Sequence, residues 1–241
     1  MARRHILCLL TLLTAILAAN SYANIDQTYT VHYVSDIIEV DGKIGDWPQG
    51  LEPIVLADEK YIHSDPWNGP EDLSANVYLG WNEEALFIAI ITQDDIHDQP
   101  YQNSRTWSQI FAGDSVQLAF DPLRDRRVGS YAKDDHEYGF ALLKKRTVVW
   151  SWQVPEGREK GIVETMPLAI IRDEESKRTI YEAKIAWSQL SPFQFAEGAK
   201  LGFSLLVNDN DGGGRKGWVE LTSGIGVAKD PSSFADLLLK R

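Results

Sequence analysis

The sequence predicts an all-β protein, an antiparallel β-sandwich of the jelly-roll or immunoglobulin-like two-sheet type that forms a single domain. About eleven or twelve short runs either alternate apolar and polar residues or are apolar throughout. Gly, Pro, Asn and Asp separate these runs at the spacing expected of a sandwich. Helical periodicity is weak, and only residues 187–190, before Ser191-Pro192, indicate a helical turn.

The strand patterns follow one another along the chain. Residues 37–40 lead into the turn pair Asp41-Gly42, and residues 75–81 alternate apolar and polar side chains. Residues 86–91 are apolar on both faces, which predicts a strand in the centre of its sheet. The later strand patterns are residues 116–120, 138–142, 148–152, 166–171, 179–187, 201–207, 218–221 and 234–239.

The first 23 residues predict a secretory signal peptide. Arg3 and Arg4 give a basic start, residues 6–19 form an apolar run, and Ser21 and Ala23 are the small residues of a cleavage site. We therefore expect residues 1–23 to be removed. Residues 24–241 then form one β-sandwich domain that is exported to the periplasm or secreted.

Charge and cysteine content narrow the classes of function. Removal of Arg3 and Arg4 takes the formal net charge from −11 to −13, which disfavours nucleic acid or an anionic membrane as a partner. The one cysteine, Cys8, leaves with the signal peptide, so the fold has to depend on core burial or metal ions. No later apolar run is long enough to span a membrane, so no membrane insertion is expected after cleavage.

Known catalytic motifs do not occur in the sequence. There is no nucleophile elbow, no glycine-rich phosphate loop and no zinc-binding His-Glu-x-x-His. Paired carboxylates could serve a glycoside hydrolase, but Asp and Glu are so abundant that solvated surface pairs explain them as well. The histidines after the signal peptide are interpreted as surface or hydrogen-bonded residues because they lack ligand spacing. They are His32, His63, His97 and His136.

Acidic and amide-rich runs indicate a possible calcium site. Residues 208–212 resemble a calcium loop, but an EF-hand register would place Val207 and Trp218 where carboxylates are required. A strand-end loop could still offer oxygens to Ca²⁺, the one cofactor that the sequence indicates, although turn formation explains the same residues without an ion. The candidate ligands are Asp94, Asp95, Asp98, Asp209 and Asp211, with Asp134 and Asp135 as a further pair.

Eight tryptophans favour a sugar ligand. Pyranose C–H groups pack against flat aromatic faces, while neighbouring polar side chains bind the hydroxyls. Trp81 and Trp187 continue apolar strand faces, which predicts positions in the core. Trp47 lies in a turn, where we expect it to cap the end of the sandwich.

Four further tryptophans are candidates for a stacking surface. Trp67 and Trp107 lie in polar segments rich in Pro, Asn and Ser, which is typical of exposed positions. Trp150 and Trp152 project from one face of one strand, either as a platform along a glycan or as core residues. The core is the favoured interpretation for this pair.

Six segments with characteristic motifs follow one another in a fixed order. They are residues 40–47 (VDGKIGDW), 77–88 (VYLGWNEEALFI), 113–121 (GDSVQLAFD), 181–187 (YEAKIAW), 201–209 (LGFSLLVND) and 230–237 (DPSSFADL). The set resembles the family-9 carbohydrate-binding modules and their relatives in the DOMON-like β-sandwich superfamily. The resemblance covers nearly the whole chain from about residue 37 to the C-terminus.

The resemblance implies a non-catalytic module that holds glycan ends between two tryptophans and carries structural calcium. Such modules are often attached to xylanases and related enzymes. The first aromatic residue of the family's site matches Phe111 or, with a small insertion, Trp107. The family's acidic partner corresponds to Gln117, and the next polar strand supplies Glu137. The resemblance thus implies a carbohydrate-binding site formed by Trp107, Phe111, Gln117 and Glu137.

Three positions depart from the family's pattern. Gly139 stands where an arginine is expected, Ala228 where the second tryptophan is expected, and Ile225 where an amide is expected. A site with one stacking face and few hydrogen bonds is expected to bind with a Kd on the order of 0.1–1 mM.

The sequence therefore predicts an exported, non-catalytic domain that binds plant or microbial polysaccharide or oligosaccharide in glycan catabolism. Two alternatives remain open. The same fold could be a periplasmic protein-interaction domain whose sugar site has been lost, which the three departures favour. A glycan hydrolase that uses carboxylates of the concave face is the other alternative.

Overall fold

The computed structural model describes residues 27–35, 37–63, 66–144 and 146–241, so the predicted signal peptide lies outside the described residues. Strands dominate these ranges. They are β1 (Thr28–Tyr33), β2 (Ile54–Leu56), β3 (Leu73–Trp81), β4 (Ala85–Asp94), β5 (Ser115–Asp121), β6 (His136–Leu142), β7 (Thr147–Gln153), β8 (Gly161–Ile162), β9 (Leu168–Asp173), β10 (Arg178–Ala186), β11 (Lys200–Asp209), β12 (Gly217–Glu220) and β13 (Ala235–Lys240).

The strands form one curled sheet in the order β8-β7-β6-β5-β11-β13-β1-β3-β4-β10-β9, with β12 beside β11 and β2 beside β3. Neighbouring strands are antiparallel except that β1 pairs parallel with both β13 and β3. The sheet folds over on itself, and Thr147 Oγ1 of β7 donates to the Leu168 carbonyl of β9 at 3.4 Å. The predicted all-β sandwich is confirmed, but β1 joins its two halves into one continuous sheet.

The main core lies between the two halves of the curled sheet. Phe120 and Phe203 come from one half and Ile88 from the other, and all three are fully buried. Burial of such a side chain contributes about 1.5–3 kcal/mol. Trp81 and Trp187 are buried in the same core, as predicted. The predicted central strand is also confirmed, because β4 lies between β3 and β10.

Residues 37–40 do not form the predicted strand. Ile37 is 85% exposed, while Ile38 is buried against the outside of the sheet together with Trp47. The Glu39 N–H donates to Asp46 Oδ2 at 2.7 Å, so the backbone of this segment bonds within its own loop. Glu182 Oε2 also accepts the N–H groups of Asp41 and Gly42 at 3.0 and 2.8 Å, which holds the loop on the sheet, and β1 instead supplies the first strand.

Four 3-10 helices connect the strands in the described ranges: Glu59–Tyr61, Ser104–Ala112, Trp187–Leu190 and Pro231–Ser233. The third confirms the predicted helical turn. The second was not predicted; the Asn103 side chain accepts from the Arg105 N–H at its start. Among the described residues, no helix has the length and apolar content needed to cross a membrane.

Candidate functional site

A cavity of about 280 Å³ opens at the concave outer side of β5, β6 and β7. Its wall comes from separate parts of the chain, which are brought together by the order of the strands. The lining residues are Phe111, Gln117, Glu137, Trp152, Arg215, Ile225, Gly226, Val227, Ala228 and Lys229. We call this the sandwich-face cavity.

The aromatic side of the cavity is formed by two rings. Phe111 lies at the end of the second 3-10 helix and Trp152 near the end of β7, with ring centres 6.2 Å apart and planes at 70°. The Trp152 N–H donates to the Ser108 carbonyl at 2.8 Å, which holds the indole against the helix. The expectation that Trp152 belongs to the core is wrong, since its ring is half-buried and lines the cavity.

Gly139 makes room for the Trp152 ring. A Cβ atom at this position would lie 2.3 Å from Cη2 of Trp152, closer than real contacts allow. Gly139 lies opposite Gln117 in the ladder between β5 and β6. The glycine that departs from the family's pattern therefore admits an aromatic face that the sequence analysis did not assign to the site.

The polar side of the cavity combines an amide with an ion pair. Gln117 and Glu137 project from the neighbouring strands β5 and β6, and both side chains are largely buried. Lys229 Nζ donates to Glu137 Oε1 at 2.7 Å, which neutralises the carboxylate where it meets the cavity. Amide and charged groups next to aromatic faces are the combination that a hydroxylated ring requires.

Arg215 adds a second positive charge to the cavity wall. Its guanidinium carbon lies 4.0 Å from the centre of the Trp218 ring, a cation–π contact. Burial lowers the pKa of Arg215 to about 10, so the side chain stays charged at neutral pH. Neither Nε nor Nη2 has a hydrogen-bond acceptor in the described part of the chain.

The loop on the far side of the cavity is held by Glu220. Its Oε1 accepts the backbone N–H groups of Gly224, Ile225 and Gly226 at 3.0, 2.6 and 3.1 Å. Its Oε2 accepts the Trp218 indole N–H at 2.9 Å. One buried carboxylate thereby fixes both this loop and the ring that supports Arg215.

The structure brings three of the four predicted site residues together. Phe111, Gln117 and Glu137 line the cavity. Trp107 does not; it packs beside Ile110, half-buried, with the Arg146 guanidinium 5.0 Å from its ring centre. The helical repeat of Ser104–Ala112 explains this, because residues four apart in a 3-10 helix point in different directions.

Sequence reasoning missed Trp152, Arg215 and Lys229 at this site. Only the pattern of two tryptophans on one strand gave a signal for Trp152. Arg215 and Lys229 lie in the loops before and after β12, where charged residues are common and carry no distinctive spacing.

A second polar region lies at the ends of β3, β4 and β11, and we call it the acidic cluster. It consists of Asp72, Asp94, Asp95, Asp209 and Asp211. Carboxylate oxygens of Asp94, Asp209 and Asp211 lie within 4.8 Å of one another, as do those of Asp72, Asp95 and Asp211.

Arg172 Nη1 lies 3.6 Å from Asp94 Oδ2, and Lys216 is the second cation that reaches the acidic cluster. Its Nζ lies 2.6 Å from Asp72 Oδ1, 2.9 Å from Asp211 Oδ2 and 3.5 Å from Asp209 Oδ2. Neither oxygen of Asp209 has a hydrogen-bond donor among the described residues, although the residue is fully buried. Burial raises the pKa of Asp209 to about 7, so the carboxylate needs a cation to remain charged.

The donor set of the acidic cluster fits calcium. Ca²⁺ takes several oxygen ligands, mainly carboxylates, and the unpartnered oxygens of Asp209 are of this kind. Four of the five predicted ligands meet here, namely Asp94, Asp95, Asp209 and Asp211. Asp98 does not offer its carboxylate to these groups in the described structure; its backbone N–H donates to Asp114 Oδ2.

His97 does not fit the interpretation of the histidines as surface or hydrogen-bonded residues. Its Nδ1 lies 3.8 Å from carboxylate oxygens of Asp94 and Asp114, and neither ring nitrogen has a hydrogen-bond partner in the described residues. It is therefore neither a surface residue nor a hydrogen-bonded one. His97 and Asp114 are 17 positions apart in the sequence, and only the fold brings them into contact. His136, in contrast, is buried and bonded to the Ser191 carbonyl through Nε2 at 2.9 Å.

The further acidic pair separates in the structure. Asp135 joins Asp121 and Asp125, with carboxylate oxygens within 4.8 Å of one another. Asp134 instead accepts the Leu123 N–H at 3.3 Å. Asp121 accepts the N–H groups of Asp125 and Arg126, so turn formation uses much of this group.

Known proteins with a similar sequence pattern or a similar fold support the β-sandwich architecture. A family model described as "Carbohydrate family 9 binding domain-like" matches residues 40–241. A family 9 carbohydrate-binding module from Caldicellulosiruptor kristjanssonii, solved in complex with cellotriose, is similar with 20% identity and a TM-score of 0.65 over 89% of this chain and 94% of that one. The same module with glucose gives 20% identity and a TM-score of 0.66 over 89% and 96%. A comparison with curated proteins gives no match.

Proposed function

This chain belongs to the carbohydrate family 9 binding domain-like family, and on that premise we propose that it binds oligosaccharide or polysaccharide in the sandwich-face cavity. The observation that carries the proposal is the meeting of two aromatic rings with hydrogen-bonding groups. Phe111 and Trp152 offer faces for sugar C–H groups, and Gln117 and Glu137 stand beside them to bind hydroxyls.

The cavity supports binding rather than hydrolysis. A glycoside hydrolase uses a pair of carboxyl groups on either side of the scissile bond. Among the described lining residues Glu137 is the one carboxylate, and it is paired with Lys229. The proposed role is that of a non-catalytic domain which brings glycan to an exported system for glycan breakdown.

The affinity follows from the number of contacts. One aromatic side and a few hydrogen bonds favour a Kd on the order of 0.1–1 mM, since part of the contact energy offsets the loss of ligand freedom. Ala228 and Ile225 on the opposite side give van der Waals contact but no stacking face.

Affinity electrophoresis and titration calorimetry of the full chain test this function. A panel of xylan, cellulose oligosaccharides, mannan and pectin fragments, with Ca²⁺ present, is expected to give retardation on at least one glycan. Binding to none of them would overturn the proposal and favour the protein-interaction alternative, which co-purification from the native envelope would then examine.

We further propose that Ca²⁺ binds at the acidic cluster as a structural ion. Asp94, Asp209 and Asp211 would hold it, and Asp72 and Asp95 would complete the negative field. The ion would supply positive charge beyond that of Lys216 and Arg172, which are two cations beside five carboxylates. Export by the predicted signal peptide belongs to the same proposal, because Ca²⁺ is abundant outside the cytoplasm. The size of the mature chain, read by mass spectrometry from the native host, tests the cleavage after Ala23.

A further inference from the structure

Arg215 has two hydrogen-bond donors that find no acceptor among the described residues. The atoms are Nε and Nη2, both shielded from water. A charged donor that loses water without gaining an acceptor is unfavourable, and the contact with the Trp218 ring offsets only part of that cost. The arrangement therefore leaves one edge of the guanidinium without an acceptor in the described residues.

Arg124 shows what the same edge binds elsewhere in this protein. Arg124 Nε donates to Asp236 Oδ1 at 2.8 Å and Arg124 Nη2 donates to Asp236 Oδ2 at 2.7 Å. These two N–H groups point in one direction at the spacing of the two carboxylate oxygens. The corresponding edge of Arg215 matches a carboxylate in the same way.

The carboxylates around Arg215 are already engaged. Glu137 accepts from Lys229, and Glu220 accepts three backbone N–H groups and the Trp218 indole N–H. Glu220 interacts with the charge of Arg215 through space, but no described carboxylate accepts from its Nε or Nη2, so an acceptor for this edge is left to a molecule in the cavity.

We propose that the glycan bound in the sandwich-face cavity carries a carboxylate, as a uronic acid unit, which pairs with Nε and Nη2 of Arg215. This inference rests on the proposed function and specifies its ligand class. The apolar face of the sugar lies against Phe111 and Trp152, and Lys229 adds a second positive charge to the wall.

The uronate also accounts for the change at Ala228. A sugar held between two rings is oriented by stacking on both faces, whereas a bidentate ion pair orients the sugar from one edge. The small Ala228 side chain leaves that side of the cavity open. Because the two nitrogens of Arg215 are shielded, binding requires a small shift of its side chain or of residues 225–229.

Titration calorimetry of the full chain with Ca²⁺ present tests the inference. The probes are trigalacturonic acid and a glucuronic acid-bearing xylo-oligosaccharide, each compared with its carboxyl-reduced counterpart. At least one acid is expected to bind about tenfold or more tightly than its reduced form, as hydrogen bonds to charged groups supply.

Three variants test whether Arg215 is responsible for the preference for the acidic sugar. Arg215→Gln is expected to bring the affinity ratio of acid to reduced sugar to within about twofold, and Arg215→Lys, which keeps the charge but not the two-donor edge, to lower it partway. Arg127→Gln changes an exposed arginine outside the cavity, makes the same change in net charge and is expected to keep the ratio. If Arg215→Gln does not fold, Arg215→Lys decides.

Each outcome separates this inference from the proposed function. Equal affinity for both acids and their reduced forms overturns the uronate inference while leaving sugar binding intact. Binding of no saccharide overturns both. An acid preference that survives both Arg215 variants overturns the role of Arg215 and assigns the carboxylate to Lys229.

Discussion

Arg215 and Lys216 are consecutive residues, yet they serve two different regions of the molecule. Arg215 lines the sandwich-face cavity, whereas Lys216 binds carboxylates of the acidic cluster. In the acidic cluster, five carboxylates outnumber Lys216 and Arg172, and Asp209 accepts no hydrogen bond from the described residues. In the cavity, Lys229 is matched by Glu137, whereas Nε and Nη2 of Arg215 have no acceptor in the part of the chain that the structure describes.

In both regions, the sign of the charge that lacks a hydrogen-bond partner indicates which kind of ligand would bind. A buried charge is unfavourable unless it is paired. The sign of the unsatisfied charge in each region therefore indicates the charge of the group that would bind there. The acidic cluster needs a cation and the cavity needs an acceptor. If the two regions are independent, Ca²⁺ should change the free energy of unfolding through the acidic cluster. Substitutions in the cavity should change only the affinity for sugar.

Calcium removal is the largest expected effect. A ligand present at about 1,000 times its Kd adds about 4 kcal/mol to the free energy of unfolding, and chelation should remove that gain. Asp209→Asn should lose most of the gain with Ca²⁺, yet be as stable as the natural protein or more so in chelator, because a buried carboxylate that accepts no hydrogen bond from the described residues is gone. Denaturant titrations with Ca²⁺ and with chelator measure both.

The control for this experiment is Glu159→Gln, which changes an exposed carboxylate by the same charge. It should respond to Ca²⁺ as the natural protein does. An equal response of Asp209→Asn and Glu159→Gln to the ion would remove the acidic cluster as the calcium site.

The pH dependence of the free energy of unfolding should differ between the protein with Ca²⁺ and the protein in chelator. Burial raises the pKa of Asp209 from 3.8 to about 7, so between these values the folded state binds more protons than the unfolded state. In chelator, this group lowers the free energy of unfolding as the pH rises from about 4 to 7, by on the order of 2–4 kcal/mol. Ca²⁺ stabilises the ionised carboxylate and should reduce the fall.

His136 changes the free energy of unfolding with pH in the opposite direction to Asp209, both with Ca²⁺ and in chelator. Burial lowers its pKa from 6.5 to about 4, so its contribution rises with pH over that window and is fully lost below pH 4. The difference between the curves with and without Ca²⁺ cancels this contribution. A difference that does not grow between pH 4 and 7 would contradict the assignment to Asp209.

Loss of an aromatic face should affect the cavity alone. Phe111→Ala is expected to weaken sugar binding about tenfold, because a stacking contact is lost, with little change in the response to Ca²⁺. Phe195→Ala is a matched control, since Phe111 and Phe195 are each 38% exposed and Phe195 stacks on Trp187 outside the cavity. Calorimetry should show reduced affinity in the first variant only; equal affinities would show that the cavity does not hold the sugar.

Restoring a second ring is the smallest expected effect. Ala228→Trp should raise the affinity for a neutral sugar about threefold to tenfold, because aromatic contacts contribute about 0.5–1.5 kcal/mol. Ala196→Trp places the same ring on an exposed site elsewhere and should give no gain. A lower affinity for Ala228→Trp would indicate that the open side of the cavity is occupied by the natural ligand.

Part of the site could be predicted from local sequence and part could not. Phe111, Gln117 and Glu137 were found through motifs whose order is fixed along the chain. Trp152 was assigned to the core because alternation shows that two side chains share a face of a strand, but not which layer covers that face. Its position depends on Gly139 of the next strand, where a side chain would exclude the indole.

Local patterns were enough to predict most of the strands, though not β1, β2 and β8, together with the turn at residues 187–190 and the abundance of oxygen ligands, because alternation and turn chemistry act over a few residues. The folded chain was needed to show that β1 joins the two halves, that Asp94 meets Asp209, and that Arg215 and Lys216 face different regions. These contacts join residues far apart in the chain. Their existence depends on how strands pair and how the curled sheet packs on itself, which no local pattern encodes.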